Sequence, residues 1–125
     1  MESNTDFFTP EDLANEILDK MPKEIWEQGK TFLDPTCGSG NLLIAVAKRK
    51  LSLGHNPTDI LDSLFGMEIE EHYMEECRQG LLDVCGDTKE NRRIVEDHII
   101  TGDFLNTKHF SQSKMAINLF FKGII

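Results

Sequence analysis

The run Asp34-Pro35-Thr36-Cys37-Gly38-Ser39-Gly40 sets a carboxylate just ahead of a loop with two glycines, where a short apolar stretch gives way to a helical pattern. Glycine serves two physical ends in such a loop: it adopts backbone angles denied to other residues, and it lets a ligand approach the main chain closely. Two phosphate-binding loops can be tested on the spacing. A dinucleotide fingerprint, G-x-G-x-x-G, needs glycine where Leu43 stands, and a P-loop needs G-K-[ST] where Asn41 and Leu42 follow Gly40. Both fail. An acidic residue before the loop suits a ligand that carries an ammonium group and no phosphate, and S-adenosylmethionine is such a ligand. Two more acids sit in comparable places, Glu68 in Gly66-Met67-Glu68-Ile69 and Asp103 in Gly102-Asp103-Phe104-Leu105.

The elements that would position these acids alternate along the chain. A helix is expected over 10–21, with Thr9 as N-cap, Pro10 at its first position, acids in its first turn, and Leu13, Ala14, Ile17, Leu18 and Met21 at helical spacing. Pro22 ends it. Residues 31–33 read as a buried strand that stops at Asp34, and a helix follows Gly40 with Leu42, Leu43, Ala45, Val46 and Ala47 on its inner side. Asn56-Pro57 starts a short helix over 58–62, a strand spans 64–69, and 70–85 is helical, with Tyr73, Met74, Cys77, Leu81 and Leu82 suitably spaced. A short polar helix over 91–96, a strand over 98–101 and a fourth strand over 115–121 complete the pattern. Alternating strands and helices imply an α/β fold with a parallel, doubly wound sheet, whose ligands bind beyond the carboxyl ends of the strands. That rule directs attention to Asp34 through Gly40, Glu68 and Asp103.

At 125 residues, with 39% hydrophobic and 28% charged residues, the composition is that of one globular domain. No apolar run approaches the length of a membrane span, and the polar start from Met1 to Asp6 is no signal peptide. Cys37, Cys77 and Cys85 lack metal-ligand or disulfide-framework spacing and read as reduced thiols of a cytoplasmic protein. His55, His72, His98 and His109 are scattered, so no metal site is expected. The net charge of −9 opposes an unaided grip on DNA. The one tight basic run, Lys48-Arg49-Lys50, reads as a solvated helix end. Cys37 lies at a helix start that could lower its pKa, but a small residue lining the loop is the simpler reading.

Taken in order, four segments resemble the N6-adenine-specific DNA methyltransferases, especially the type I modification subunits, over residues 7–105. D-P-T-C-G-S-G is similar to their first motif, and Phe7-Phe8-Thr9-Pro10 resembles their F-x-T-P element, which packs against the methionine end of S-adenosylmethionine. G-M-E-I resembles the second-strand motif whose acid holds the ribose hydroxyls, and G-D-F-L the third-strand motif whose acid accepts the adenine amino group. The resemblance implies a Rossmann-like methyltransferase fold with a truncated, mostly parallel sheet of about four strands, order 3-2-1-4, and helices on both faces. It implies a cofactor site of Phe8, Thr9, Pro10, Asp34, Pro35, Thr36, Cys37, Gly38, Gly40, Glu68, Ile69, Asp103 and Phe104. Asp34 would face the cation of the methionine part, and Phe104 and Ile69 would sandwich the adenine ring. On the residues alone, Glu68 and Asp103 could instead cap the following helices, and Phe104 could be core.

One family motif is missing. No N-P-P-[YF] follows the expected fourth strand; Asn118-Leu119-Phe120-Phe121 stands nearest, with Asn118 and Phe121 as relics of its first and last positions and both prolines gone. A plain hydrophobic strand explains 117–121 more simply. The sequence is therefore expected to be a single partial domain over 1–125, with a helical segment over 1–22, a cofactor-binding core over 31–105 and a divergent tail over 106–125. Its expected function is S-adenosylmethionine binding within a DNA adenine-N6 methyltransferase, without catalytic competence of its own. The alternative is a non-catalytic module that pairs with a restriction-modification subunit. Phe120, Phe121, Ile124 and Ile125 would leave an apolar edge for a homodimer, a methyltransferase subunit or a specificity subunit, with DNA reached through the partner.

Overall fold

The structure, a computed structural model, describes residues 10–105. Three parallel strands, β1 (Phe32–Asp34), β2 (Leu64–Glu68) and β3 (Ile99–Thr101), pair in the order β1-β2-β3. Between β1 and β2 run α2 (Asn41–Ser52) and α3 (Pro57–Asp62), and between β2 and β3 run α4 (Glu71–Cys85) and α5 (Lys89–His98). Helix α1 (Glu11–Asp19) and a 3-10 turn (Lys23–Trp26) precede the sheet. Parallel neighbours require such helical crossovers, because a tight turn cannot reverse the chain twice. The expected fourth strand over 115–121, with Asn118 and Phe121, lies outside the described residues.

The register divides the strands' side chains between two faces. Leu64 and Ile99 join one cluster with Leu43 and Val46 of α2, Ile60 and Leu61 of α3, Leu81 of α4 and Val95 of α5, all at most 2% exposed. Ala14 and Leu18 of α1 belong to the same cluster. Burying a leucine side chain contributes about 1.5–3 kcal/mol, so this layer carries most of the apolar stabilisation. On the other face, Phe65 and Met67 are fully buried with Ile100 and Phe104 packed against them, and the His98 ring stacks on Phe65 at 4.1 Å. Helices were expected on both faces; among the described residues, all five contribute to the first cluster, and the second is built from strand residues and Phe104 with the His98 ring at the end of α5 against Phe65.

Polar fasteners set the helices. Asn56 caps α3 by accepting from the Thr58 and Asp59 amides. Buried Asn91 accepts from Thr58 Oγ1 and donates to the Gly86 carbonyl, which ties α3, the end of α4 and α5 together. Arg78 of α4 donates to the carbonyls of Glu96 and Ile99, fixing the junction of α5 with β3.

Several boundaries differ from the sequence reading. Pro10 is the N-cap of α1, in extended conformation with ψ 152°, and not its first helical residue; Thr9 lies outside the described residues. Helix α1 ends at Asp19, so Met21 lies beyond it, and the remaining apolar stripe is wider than the surface it meets, leaving Leu13 and Ile17 exposed. Helix α5 starts two residues earlier than expected, at Lys89, because Thr88 caps it by accepting from the Asn91 amide. The basic run is not a solvated helix end. Lys48 and Arg49 pair with Glu11 and Asp19 of α1, while Lys50 is 1% exposed and donates to the Lys30 carbonyl and Ser63 Oγ, each at 2.8 Å. Among the described residues, no helix is long and apolar enough to cross a membrane.

Candidate functional site

The carboxyl ends of all three strands meet. The Cys37 amide donates to the Met67 carbonyl and the Gly102 amide to the Glu68 carbonyl, both at 3.0 Å, so the chain leaving β1 and β3 stays tied to β2. Here Pro35, Thr36, Glu68, Ile69, Asp103 and Phe104 line a cleft of about 210 Å³, together with Met67, Gly102 and Leu105. The first six were expected from the sequence. The other three lie inside the quoted G-M-E-I and G-D-F-L segments; Met67 is fully buried, whereas Leu105 is 87% exposed.

Glu68 joins the parts. Its Oε1 accepts the Gly38 amide at 3.1 Å and its Oε2 the Glu70 amide at 2.8 Å, so one carboxylate holds both the glycine loop and the start of α4. The helix-capping reading is thus present in the structure, with a cross-link to the loop beside it. A carboxylate has about four acceptor positions, and these two bonds use one on each oxygen. Asp103 accepts the Leu105 amide at 3.0 Å. Phe104 is half-buried against Phe65 and Met67 and also lines the cleft, so the core reading and the site reading describe two sides of one ring. Ile69 is 65% exposed, a large apolar side chain left at the cleft mouth.

Asp34, half-buried at the end of β1, accepts the Thr36 amide at 3.1 Å. Burial raises its pKa above the usual carboxylate value, the Thr36 bond partly offsets this, and the nearby Glu68 charge raises it further. None of the described residues that line the cleft is basic. The cleft is therefore an acidic, largely apolar hollow. Anionic phosphates would be repelled there, and a cation close to Asp34 would relieve the repulsion between the two carboxylates.

The loop between these acids is fixed by its glycines. Gly38 has φ 57°, in the left-handed region. Gly40 has φ 98°, and a Cβ there would meet Cys77 Sγ at 2.7 Å, so the close neighbour it accommodates is α4. Cys37 is buried, and a hydrogen bond with Cys77 together with burial pushes its thiol pKa up, so it is not an activated nucleophile despite its place before α2. Pro10, exposed at the start of α1, is not among the residues lining the cleft; Phe8 and Thr9 lie outside the described residues. Among the described residues, no group of three His, Cys, Asp or Glu is arranged to hold a metal ion.

Fold and site together define a small parallel α/β domain with an acidic cleft at the carboxyl ends of its strands, lined by Pro35 and Thr36 at the start of the glycine loop, while Asp34, Cys37, Gly38 and Gly40 lie outside the lining. Comparison with known proteins then places it. The N-6 DNA methylase family model matches residues 1–119, and the chain belongs to that family. It is 34% identical over 111 residues to the type II methyltransferase M.VspI of Vibrio sp. (strain 343), an alignment that covers 89% of this chain. The chain spans 23% of the length of that relative. No solved structure matches it.

Proposed function

We propose that the chain forms the S-adenosylmethionine-binding part of an adenine-N6 DNA methyltransferase, on a Rossmann-like methyltransferase sheet of order 3-2-1-4 completed by residues 115–121. The observation that carries this reading is the acidic cleft without basic lining at the carboxyl ends of β1, β2 and β3. Its volume of about 210 Å³ lies below the roughly 300–1,000 Å³ typical of sites that enclose a whole ligand. It therefore fits the nucleoside end of the cofactor, with the methionine end over Asp34 and the loop from Pro35 to Gly40.

The roles follow from the chemistry of each group. Glu68 would take the ribose hydroxyls on acceptor positions left by its two backbone bonds. Asp103 would accept the adenine amino hydrogen, with Phe104 and Ile69 against the ring faces. Asp34 would face the cationic methionine end in a charge-assisted contact. Thr36, Cys37, Gly38 and Gly40 would give the loop its shape, and Phe8, Thr9 and Pro10 would close over the methionine end. When bound, S-adenosylmethionine supplies an activated methyl group. Holding the target base requires acceptors that N-P-P-[YF] would provide, and that motif is absent from the sequence.

A second reading is a non-catalytic cofactor-binding or assembly module that reaches DNA through a homodimer partner, a modification subunit or a specificity subunit in the cytoplasm. Incorporation of labelled methyl into DNA, with and without a full-length modification subunit, separates the two. The site itself is tested by photo-crosslinking labelled S-adenosylmethionine and mapping the labelled peptides. Label is expected at 35–36, 68–69 and 103–105; label confined to other peptides would remove the proposal.

A further inference from the structure

At the opposite end of the sheet, where β1 and β2 begin, lies a larger cavity of about 350 Å³. Its lining includes Thr31, Lys50, His55, Asp59, Asp62 and Ser63. The Phe32 amide donates to the Ser63 carbonyl at 2.9 Å, which fixes the two strand starts beside it. Lys50 reaches this cavity from the last turn of α2 and is 1% exposed. Its ammonium donates to the Lys30 carbonyl and to Ser63 Oγ, and lies 5.4 Å from the centre of the Phe32 ring. The Ser63 hydroxyl is itself committed, donating to the Ile60 carbonyl at 2.7 Å.

All these partners are neutral. An ammonium has three N–H groups, and two are used here. No carboxylate among the described residues lies within ion-pair distance of it, whereas buried charges are ordinarily paired. Burial accordingly lowers the Lys50 pKa to about 8. Asp59 and Asp62 line the same cavity from exposed positions, Asp62 Oδ1 lying 3.9 Å from His98 Nε2. The cavity thus has a positive floor and a negative rim.

We propose that this cavity is a second ligand site, taking a small zwitterion whose carboxylate meets the Lys50 ammonium and whose amine meets Asp59 and Asp62. The carboxylate supplies the counter-charge that Lys50 lacks and accepts its third N–H. A simple anion meets the two rim carboxylates on entry, and a simple cation meets Lys50. Only a ligand with both charges satisfies floor and rim together. The site is separated from the acidic cleft by the five-residue length of β2 and does not rest on the cofactor reading.

Amide NMR spectra of the full chain, titrated with glycine, β-alanine and γ-aminobutyrate, test the proposal. At least one of these is expected to give saturable shifts confined to 28–31, 50–55 and 59–63, with butyrate and butylamine binding about tenfold more weakly or worse. Lys50→Met should abolish the shifts. Asp59→Asn, at an exposed position, should reduce zwitterion affinity to that of butyrate, and it decides the matter should Lys50→Met fail to fold. Absence of saturable shifts with all three zwitterions, or equal binding by wild type and Asp59→Asn, would overturn it.

Discussion

Replacing Gly40 with alanine separates two demands that the loop makes on one residue. The first is conformational: at φ 98°, a Cβ costs about 1–2 kcal/mol. The second is steric, because that Cβ would lie 2.7 Å from Cys77 Sγ and 3.1 Å from Cys77 Cα and Cβ. Backbone on a packed helix cannot swing aside, and overpacking of this kind costs about 1–3 kcal/mol. The total is about 2–5 kcal/mol, a large part of the roughly 5–15 kcal/mol by which domains are stable. Gly54 provides the control: its φ is 88°, and nothing lies within 4 Å of its Cβ position. Gly54→Ala should therefore lose only the conformational part. Urea unfolding followed by far-ultraviolet circular dichroism reads the difference. With a slope of about 2 kcal/mol per M, the Gly40→Ala midpoint should fall about 0.5–1.5 M below that of Gly54→Ala. Cys77→Ala, which removes the sulfur, should recover part of the Gly40→Ala loss in a double-mutant cycle. Coincident midpoints for the two glycine variants would refute the claim that α4 packs rigidly on the loop.

Three further outcomes follow from the charges. The Asp34 pKa is raised in the fold, so its ionised form opposes folding at neutral pH, and its contribution improves as pH falls through the raised value toward its ordinary 3.8. Asp34→Asn should therefore raise the urea midpoint at neutral pH while weakening cofactor binding; a lower midpoint would contradict the electrostatic account. Lys50 has the opposite sense: with its pKa lowered from 10.5 to about 8, the folded state loses its proton first, and stability should rise with pH across that window. A shift of that size corresponds to on the order of 3 kcal/mol, and a rise equally large in Lys50→Met would assign it to other groups. Finally, buried Cys37 and Cys77 should react with an aromatic disulfide reagent far more slowly in the folded chain than in urea. Rapid labelling of the folded chain would show that the loop opens or that the thiols are not paired.

The site was legible where local sequence alone sets geometry. Asp34 and Glu68 end their strands and Asp103 follows just after its own, and parallel pairing brings strand ends together whatever the helices between them do. The glycine loop showed itself through Gly38 and Gly40, although the partner that demands Gly40, Cys77, lies in another crossover and leaves no mark near it in the chain. The hold of Glu68 on the Gly38 amide spans thirty residues and is likewise invisible to spacing. Lys50 was misread for a related reason. A lysine within a basic run reads as solvated, and its burial depends on a carbonyl at Lys30 and a hydroxyl at Ser63 that the fold delivers from either side. Helix α1 shows the converse: Leu13 and Ile17 have the right spacing for a core face, but α2 offers surface only to Ala14 and Leu18.

The most direct test of the account is calorimetric titration of S-adenosylmethionine into the purified chain, beside Asp34→Ala and Asp103→Ala. The account predicts micromolar binding by the wild-type chain, equivalent to about −8 kcal/mol, and its loss in both variants. A folded wild-type chain that takes up no cofactor, or variants that bind as well as wild type, would contradict it.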